Sequence, residues 1–235
     1  MKRHFRVFLG IFAGLFLIGF GFQALAGWEG ELRTAGKGVG NQMKNSRIEI
    51  QDSKMRMESE IAGMGRSMFI VDWKKGKASS VLESNRMILE MDLRAMGKAA
   101  GGAVPYCDPT KAIEACLKDQ SYSKTSSGEA NGFECDVYEK AIDEGFLQIW
   151  HPTAHADLPA VRTVILGKDR KEEFRSDFVN LVKKTFNPKR FELPKGYFVQ
   201  DMTAMASAMA SAKKGKSKAV ESKKASSGGA TSGGH

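Results

Sequence analysis

Methionine is the residue type in this sequence whose number and clustering indicate a chemical role. There are twelve in 235 residues, and eight of them lie between Met43 and Met96. A thioether is flexible and polarisable, so it suits surfaces that accept variable apolar shapes, and it also binds Cu(I). An apolar pocket, ordinary core packing and a copper site therefore stay open as interpretations. The candidates for a pocket are Met55, Met57, Met68, Met87, Leu89 and Met91.

Three cysteines form the second set of reactive side chains, Cys107, Cys116 and Cys135. An odd number allows one disulfide and one free thiol. We predict a Cys107–Cys116 bridge with Cys135 as a buried thiol, and a Cys116–Cys135 bridge is the main competitor. A metal site is disfavoured because neither spacing is of the C-x₂-C type.

Signatures of enzymes are missing from the sequence. His151 and His155 are four residues apart, but Pro152 argues against a helix that would bring them together, and we interpret both as exposed histidines. No nucleophile elbow, P-loop or dinucleotide-binding fingerprint is present. We therefore predict a non-enzymatic protein with no catalytic residues, no metal and no cofactor.

The N-terminus indicates export. Lys2, Arg3 and Arg6 precede an apolar stretch from Val7 to Phe22, and Ala24-Leu25-Ala26 supplies the small residues of a cleavage site. We predict a signal peptide over residues 1–26 and a periplasmic location, with the protein soluble after cleavage. Disulfide formation is expected in that compartment.

The net charge of +9 is concentrated at the two ends of the chain. The leader carries +3 and residues 213–235 carry +5, which leaves +1 for residues 27–212. A near-neutral body argues against nucleic-acid binding. The lysine-rich tail is predicted to be disordered, and it offers a peripheral contact with an anionic membrane.

Period-two alternation places strands along most of residues 27–212, which we take as one domain. In Lys54–Ile61, Met55 and Met57 face one way, and the charged residues face the other. We interpret Arg56 and Glu58, on the charged side, as part of a solvated face. Asp52-Ser53 is predicted to be a hairpin turn, and further strands follow at about ten-residue spacing. Asp108 is expected to cap a short helix with Pro109 at its first position. Residues 170–186 fit both a helix and a strand. The pattern predicts a mainly β fold, formed as an antiparallel meander.

Several short segments then occur in a recognisable order. They are Lys54–Glu58, Val71-Asp72, Lys75–Lys77, Asn131–Tyr138, Trp150, Leu158-Pro159 and Phe191–Tyr197. Together they resemble an uncharacterised family of exported bacterial domains that is related to the periplasmic lipoprotein carriers and their outer-membrane receptors, the LolA/LolB-like group. The resemblance covers roughly residues 45–200.

The resemblance implies a curved antiparallel sheet forming an incomplete barrel, with short helices across its open side. It also implies that residues 170–186 are mostly strand. We therefore expect a carrier or binding module that holds a lipid or lipoprotein acyl chain on the concave face. A methionine-based copper or redox protein and a ligand-free interaction domain are the alternatives.

Overall fold

The computed structural model describes residues 26–36, 46–61, 65–99, 107–205 and 207–208. Within them are twelve strands, two α-helices and further helical residues at 203–205 and 207–208. The leader up to residue 25 and the lysine-rich tail lie outside this part of the chain. The strands are β1 Ala26–Gly36, β2 Ser46–Gln51, β3 Lys54–Ile61, β4 Gly65–Asp72, β5 Lys77–Leu82, β6 Met87–Asp92, β7 Ser123–Ala130, β8 Phe133–Ile142, β9 Gly145–Pro152, β10 Arg162–Gly167, β11 Glu172–Thr185 and β12 Phe198–Asp201. The helices are α1 Leu93–Ala99 and α2 Ile113–Asp119.

All twelve strands form one curved sheet that does not close into a barrel. Two antiparallel meanders, β1 to β6 and β7 to β11, are joined where β1 pairs with β11. β12 then pairs in parallel with β6 and forms one edge, while β7 forms the other. The mainly β, incomplete-barrel fold predicted from the sequence is confirmed.

Tight turns set the register of the meanders. Asp52 takes a left-handed backbone with φ 54° in the predicted Asp52-Ser53 hairpin. Asn131 and Gly132, at φ 55° and 82°, connect β7 to β8, which is the two-residue turn that matches the twist of paired strands. Residues 172–185 are strand, as the family resemblance implied.

Two segments differ from the sequence expectation. No strand was assigned to residues 26–36 from the sequence, yet they form β1, which joins the two meanders. Asp108 was expected to cap a helix starting at Pro109, but its carboxylate accepts a hydrogen bond from the Thr110 N–H, and α2 begins only at Ile113.

The sheet has two faces that are covered differently. We call the side on which α1 and α2 pack the helix face and the opposite side the back face. Leu93 of α1 packs with Val71 and Ala78, and Leu117 of α2 packs with Leu147 and Ile149. Register through β1, β11 and β10 places both sets on the same side of the sheet.

The back face of β4, β5 and β6 is covered by the chain that follows β11. Met68, Ile70, Val81 and Ile88 are buried there, and Leu193 and Tyr197 pack against them. A 3₁₀ turn at Pro188–Phe191 starts this covering segment, and Asn187 caps it by accepting from the Lys189 N–H. We call residues 186–197 the back strap.

Candidate functional site

Five of the six predicted pocket residues share the helix face. Met57 lies opposite Phe69, and Met55 lies opposite Val71. Across β5, Leu89 pairs with Ser80 and Met91 with Ala78. Met87 pairs with Leu82 at the end of the same face. Cross-strand partners project to the same side of a sheet, so the structure brings Met55, Met57, Met87, Leu89 and Met91 together.

These five side chains are neither fully buried nor fully exposed. Met55 and Met57 pack against the buried Ile48 and Ile50 at the β2 side. Met55 also contacts the cluster under α1, to which Met96 contributes a further thioether. The result is a partly exposed apolar surface that α1 covers at one end.

Met68 does not belong to this surface. It lies opposite Glu58 and Val81, which places it on the back face, where it is 8% exposed. Its Sδ accepts a hydrogen bond from Arg56 Nε at 3.0 Å. Met68 instead forms part of the floor of a shallow cleft of about 500 Å³, walled by the back strap from Asn187 to Pro194.

A buried carboxylate holds the back strap to the sheet. Glu49 is 1% exposed, and Arg190 donates to its two oxygens at 2.6 and 2.8 Å. Arg47 and Arg56 reach the same carboxylate from the sheet at 3.1 and 3.4 Å. The sequence predicted that Arg56 and Glu58 belong to a solvated face, which is wrong, because their side chains are only 13% and 15% exposed beside the strap.

The charges around Glu49 decide its ionisation. Burial alone would raise the pKa of Glu49, but the hydrogen bond and charge of Arg190, with Arg47 and Arg56, hold it below its usual value. Glu49 is therefore an ionised, paired carboxylate at neutral pH. Its partner Arg190 lies 141 residues away in the chain, so no local pattern could have identified this pair.

The second half of the helix face is filled by the protein itself. The predicted Cys107–Cys116 disulfide is confirmed, with the two Cα atoms 5.8 Å apart. The bridge anchors α2, whose Leu117 is fully buried over Leu147 and Ile149. Leu117, Leu147 and Ile149 thus pack together in one buried cluster between α2 and the strands.

The remaining reactive side chains have structural surroundings. Cys135 is the predicted buried thiol, and burial raises its pKa, which makes it a poor nucleophile. His151 was expected to be exposed but is 6% exposed, and burial lowers its pKa. His155 packs edge-on against Trp28 and Phe133. Among the described residues no group of three or more His, Cys, Asp or Glu side chains could hold a metal ion.

A search of the described ranges for a helix long and apolar enough to cross a membrane finds none. No protein-family model and no curated protein sequence matches the chain.

A comparison with solved structures finds partial similarity to several proteins. An uncharacterized conserved protein from Thermus thermophilus is 9% identical with a TM-score of 0.45, over 75% of this chain and 91% of that one. PNGF-II is 12% identical with a TM-score of 0.48, over 79% of this chain and only 33% of its own. A putative outer membrane lipoprotein-sorting protein domain from Vibrio parahaemolyticus is 10% identical with a TM-score of 0.27, over 72% and 90%.

The architecture itself, a curved and open antiparallel sheet with short helices, is the one that the sequence resemblance implied. These solved structures are at most 12% identical to this chain, their TM-scores lie below 0.5, and their descriptions differ. Because one fold hosts many functions, the function has to follow from the residues of this chain.

Proposed function

We propose that this chain is an exported, non-enzymatic binding or carrier module that holds an apolar ligand, such as a lipid or an acyl chain, on the helix face of β2 to β6. The observation that carries this proposal is the partly exposed set of Met55, Met57, Met87, Leu89 and Met91 on one face of a curved sheet. Burial of a ligand chain there would gain about 0.8 kcal/mol per CH₂ group.

The edge of the sheet extends this apolar surface. Phe198 of β12 lies beside Met87 in register and is 69% exposed. An exposed phenyl ring next to a methionine surface offers a ligand an apolar route from solvent. The leader supports a periplasmic location, and the lysine-rich tail supports a peripheral contact with anionic lipid headgroups.

The proposal is tested by binding of a fluorescent acyl probe to delipidated protein, together with native mass spectrometry of gently extracted protein. We expect bound lipid in the spectrum and saturable probe binding. A double variant, Met57→Gln with Leu89→Gln, should raise the Kd at least about tenfold, or about 1.4 kcal/mol.

Val182→Gln is the matched control for the double variant. Val182 is 57% exposed and pairs with Glu29, which places it on the back face. The control should leave the Kd within about twofold of the parent, since a distant exposed site contributes little. Absence of saturable binding, or equal effects of the control and the double variant, would contradict the proposal.

A further inference from the structure

The two faces of β2 to β6 differ completely in charge. At every described position on the helix face, these strands carry Gly, Ser, Ala, Val, Ile, Leu, Met or Phe. The alternating positions on the back face carry most of the ionisable groups, including Arg47, Glu49, Arg56, Glu58, Lys77 and Glu90. The proposed ligand surface therefore offers no counter-charge within the described residues of these strands.

A cation at the β1 border of this surface, Lys183, is already engaged. Lys183 lies opposite Trp28, its Nζ is 4.0 Å from the centre of the indole ring, and it donates to Asp157 at 2.7 Å. Asp157 also accepts from Trp28 Nε1 at 2.7 Å. A charged ligand group at this border would have to break this arrangement or remain unpaired.

An ionised group that leaves water without a partner is strongly disfavoured. We infer that the helix face of β2 to β6 is selective for uncharged amphiphiles, and that it binds acyl esters in preference to ionised fatty acids of the same chain length. This inference rests on the proposed function and adds the chemical class of ligand.

Hydroxyl groups on the same face favour an ester over a plain hydrocarbon. Ser59 pairs with Ser67 in register and shares a 2.6 Å hydrogen bond with Ser46 Oγ. Ser67 makes no side-chain hydrogen bond among the described residues, so its hydroxyl is available to donate to a carbonyl oxygen. A neutral donor of this kind matches an ester linkage without requiring a charge.

The test uses the delipidated full chain and three ligands with the same ten-carbon chain: methyl decanoate, decanoate and decyltrimethylammonium, each competing with the acyl probe at pH 8. We expect the ester to bind at least about tenfold more tightly than either ion, because both ions lose hydration without a partner. An ion that binds within about threefold of the ester, or more tightly, would overturn the inference while leaving the proposed function intact. If neither the probe nor any of the three ligands binds, the proposed function itself fails.

Two variants and one control test the selectivity further. Leu89→Lys puts a cation in the middle of the surface and should shift the ester-to-decanoate affinity ratio at least about tenfold toward decanoate, whereas the neutral control Leu89→Met should leave the ratio unchanged. Ser67→Ala should weaken ester binding about threefold and leave decane binding unchanged. Unchanged ratios in Leu89→Lys protein with a native circular dichroism spectrum would overturn the inference.

Discussion

The two halves of the helix face use similar strands in opposite ways. In the second half, Tyr138, Leu147 and Ile149 are at most 5% exposed, because α2 lies directly over them. In the first half, α1 reaches only the end marked by Val71 and Ala78, and the methionines further along stay partly exposed. The disulfide-anchored helix accounts for much of the difference.

The side chains match this difference in cover. The covered half is filled with branched and aromatic side chains, which have few rotamers and pack into one arrangement. The open half is rich in thioethers, which adapt their shape to what is placed against them. On one continuous sheet, the presence of a covering helix therefore separates core from candidate binding surface.

Truncation of one leucine in each half should give the largest difference in stability between the two halves. Leu147→Ala should lower the free energy of unfolding by about 2–5 kcal/mol, because the fully buried side chain leaves a cavity. Leu89→Ala should cost less than about 1 kcal/mol, because its side chain is already partly solvated. Urea denaturation of both variants measures the difference. Equal losses would show that the two halves are packed alike.

Removal of the disulfide should make the covered half resemble the open one. The bridge closes a loop with a sequence separation of 9, so its loss should cost about 2.5–3 kcal/mol in the chain-entropy model. Cys107→Ser with Cys116→Ser should also increase binding of an apolar dye, because α2 is no longer anchored over Leu147. Cys135→Ser is the control for loss of a thiol without loss of the bridge. A double variant with unchanged stability and dye binding would contradict the role given to the bridge.

Local patterns in the sequence predicted the hairpins, the meander and the disulfide, because each depends on neighbouring residues or on a short loop. The side of the sheet taken by each methionine was predictable only where charged residues alternate with apolar ones, as around Met55 and Met57. β4 reads Met68-Phe69-Ile70-Val71, with apolar residues on both faces. Period two therefore could not separate Met68 from Phe69.

The back strap could not be predicted for a different reason. Its attachment to the sheet depends on the ion pair of Arg190 and Glu49, which are remote in sequence. It also depends on the burial of Glu49, which is a tertiary property. β12 was likewise not predicted, since its four exposed residues carry no alternating pattern. In both cases tertiary contacts decide the structure.

Low pH should weaken the attachment of the back strap to the sheet before it affects the helix face of β2 to β6. Because the pKa of folded Glu49 lies below its ordinary value of 4.5, its pairing stabilises the fold above that pH, and the contribution is lost as pH falls through the lower, folded pKa. We expect the unfolding free energy to fall below about pH 4.5 with a smaller slope in Glu49→Gln protein than in the parent. Asp143→Asn, in the exposed turn between β8 and β9, is the control. Identical slopes in all three proteins would exclude Glu49 as the titrating group.

Oxidation of methionine should have the smallest effect on stability, and the rate at each methionine reports how accessible each face of the sheet is. Limited peroxide treatment converts accessible thioethers to polar sulfoxides. Met57, Met87 and Met91 should react several-fold faster than Met68, because Met68 is buried under the back strap and its Sδ accepts a hydrogen bond from Arg56. Peptide mass spectrometry measures each rate, and saturating acyl probe should slow the first three while leaving Met68 unchanged. Met68 reacting as fast as Met57 would show that the back strap does not cover Met68. If the probe protects none of Met57, Met87 and Met91, the helix face of β2 to β6 is not the surface that binds it.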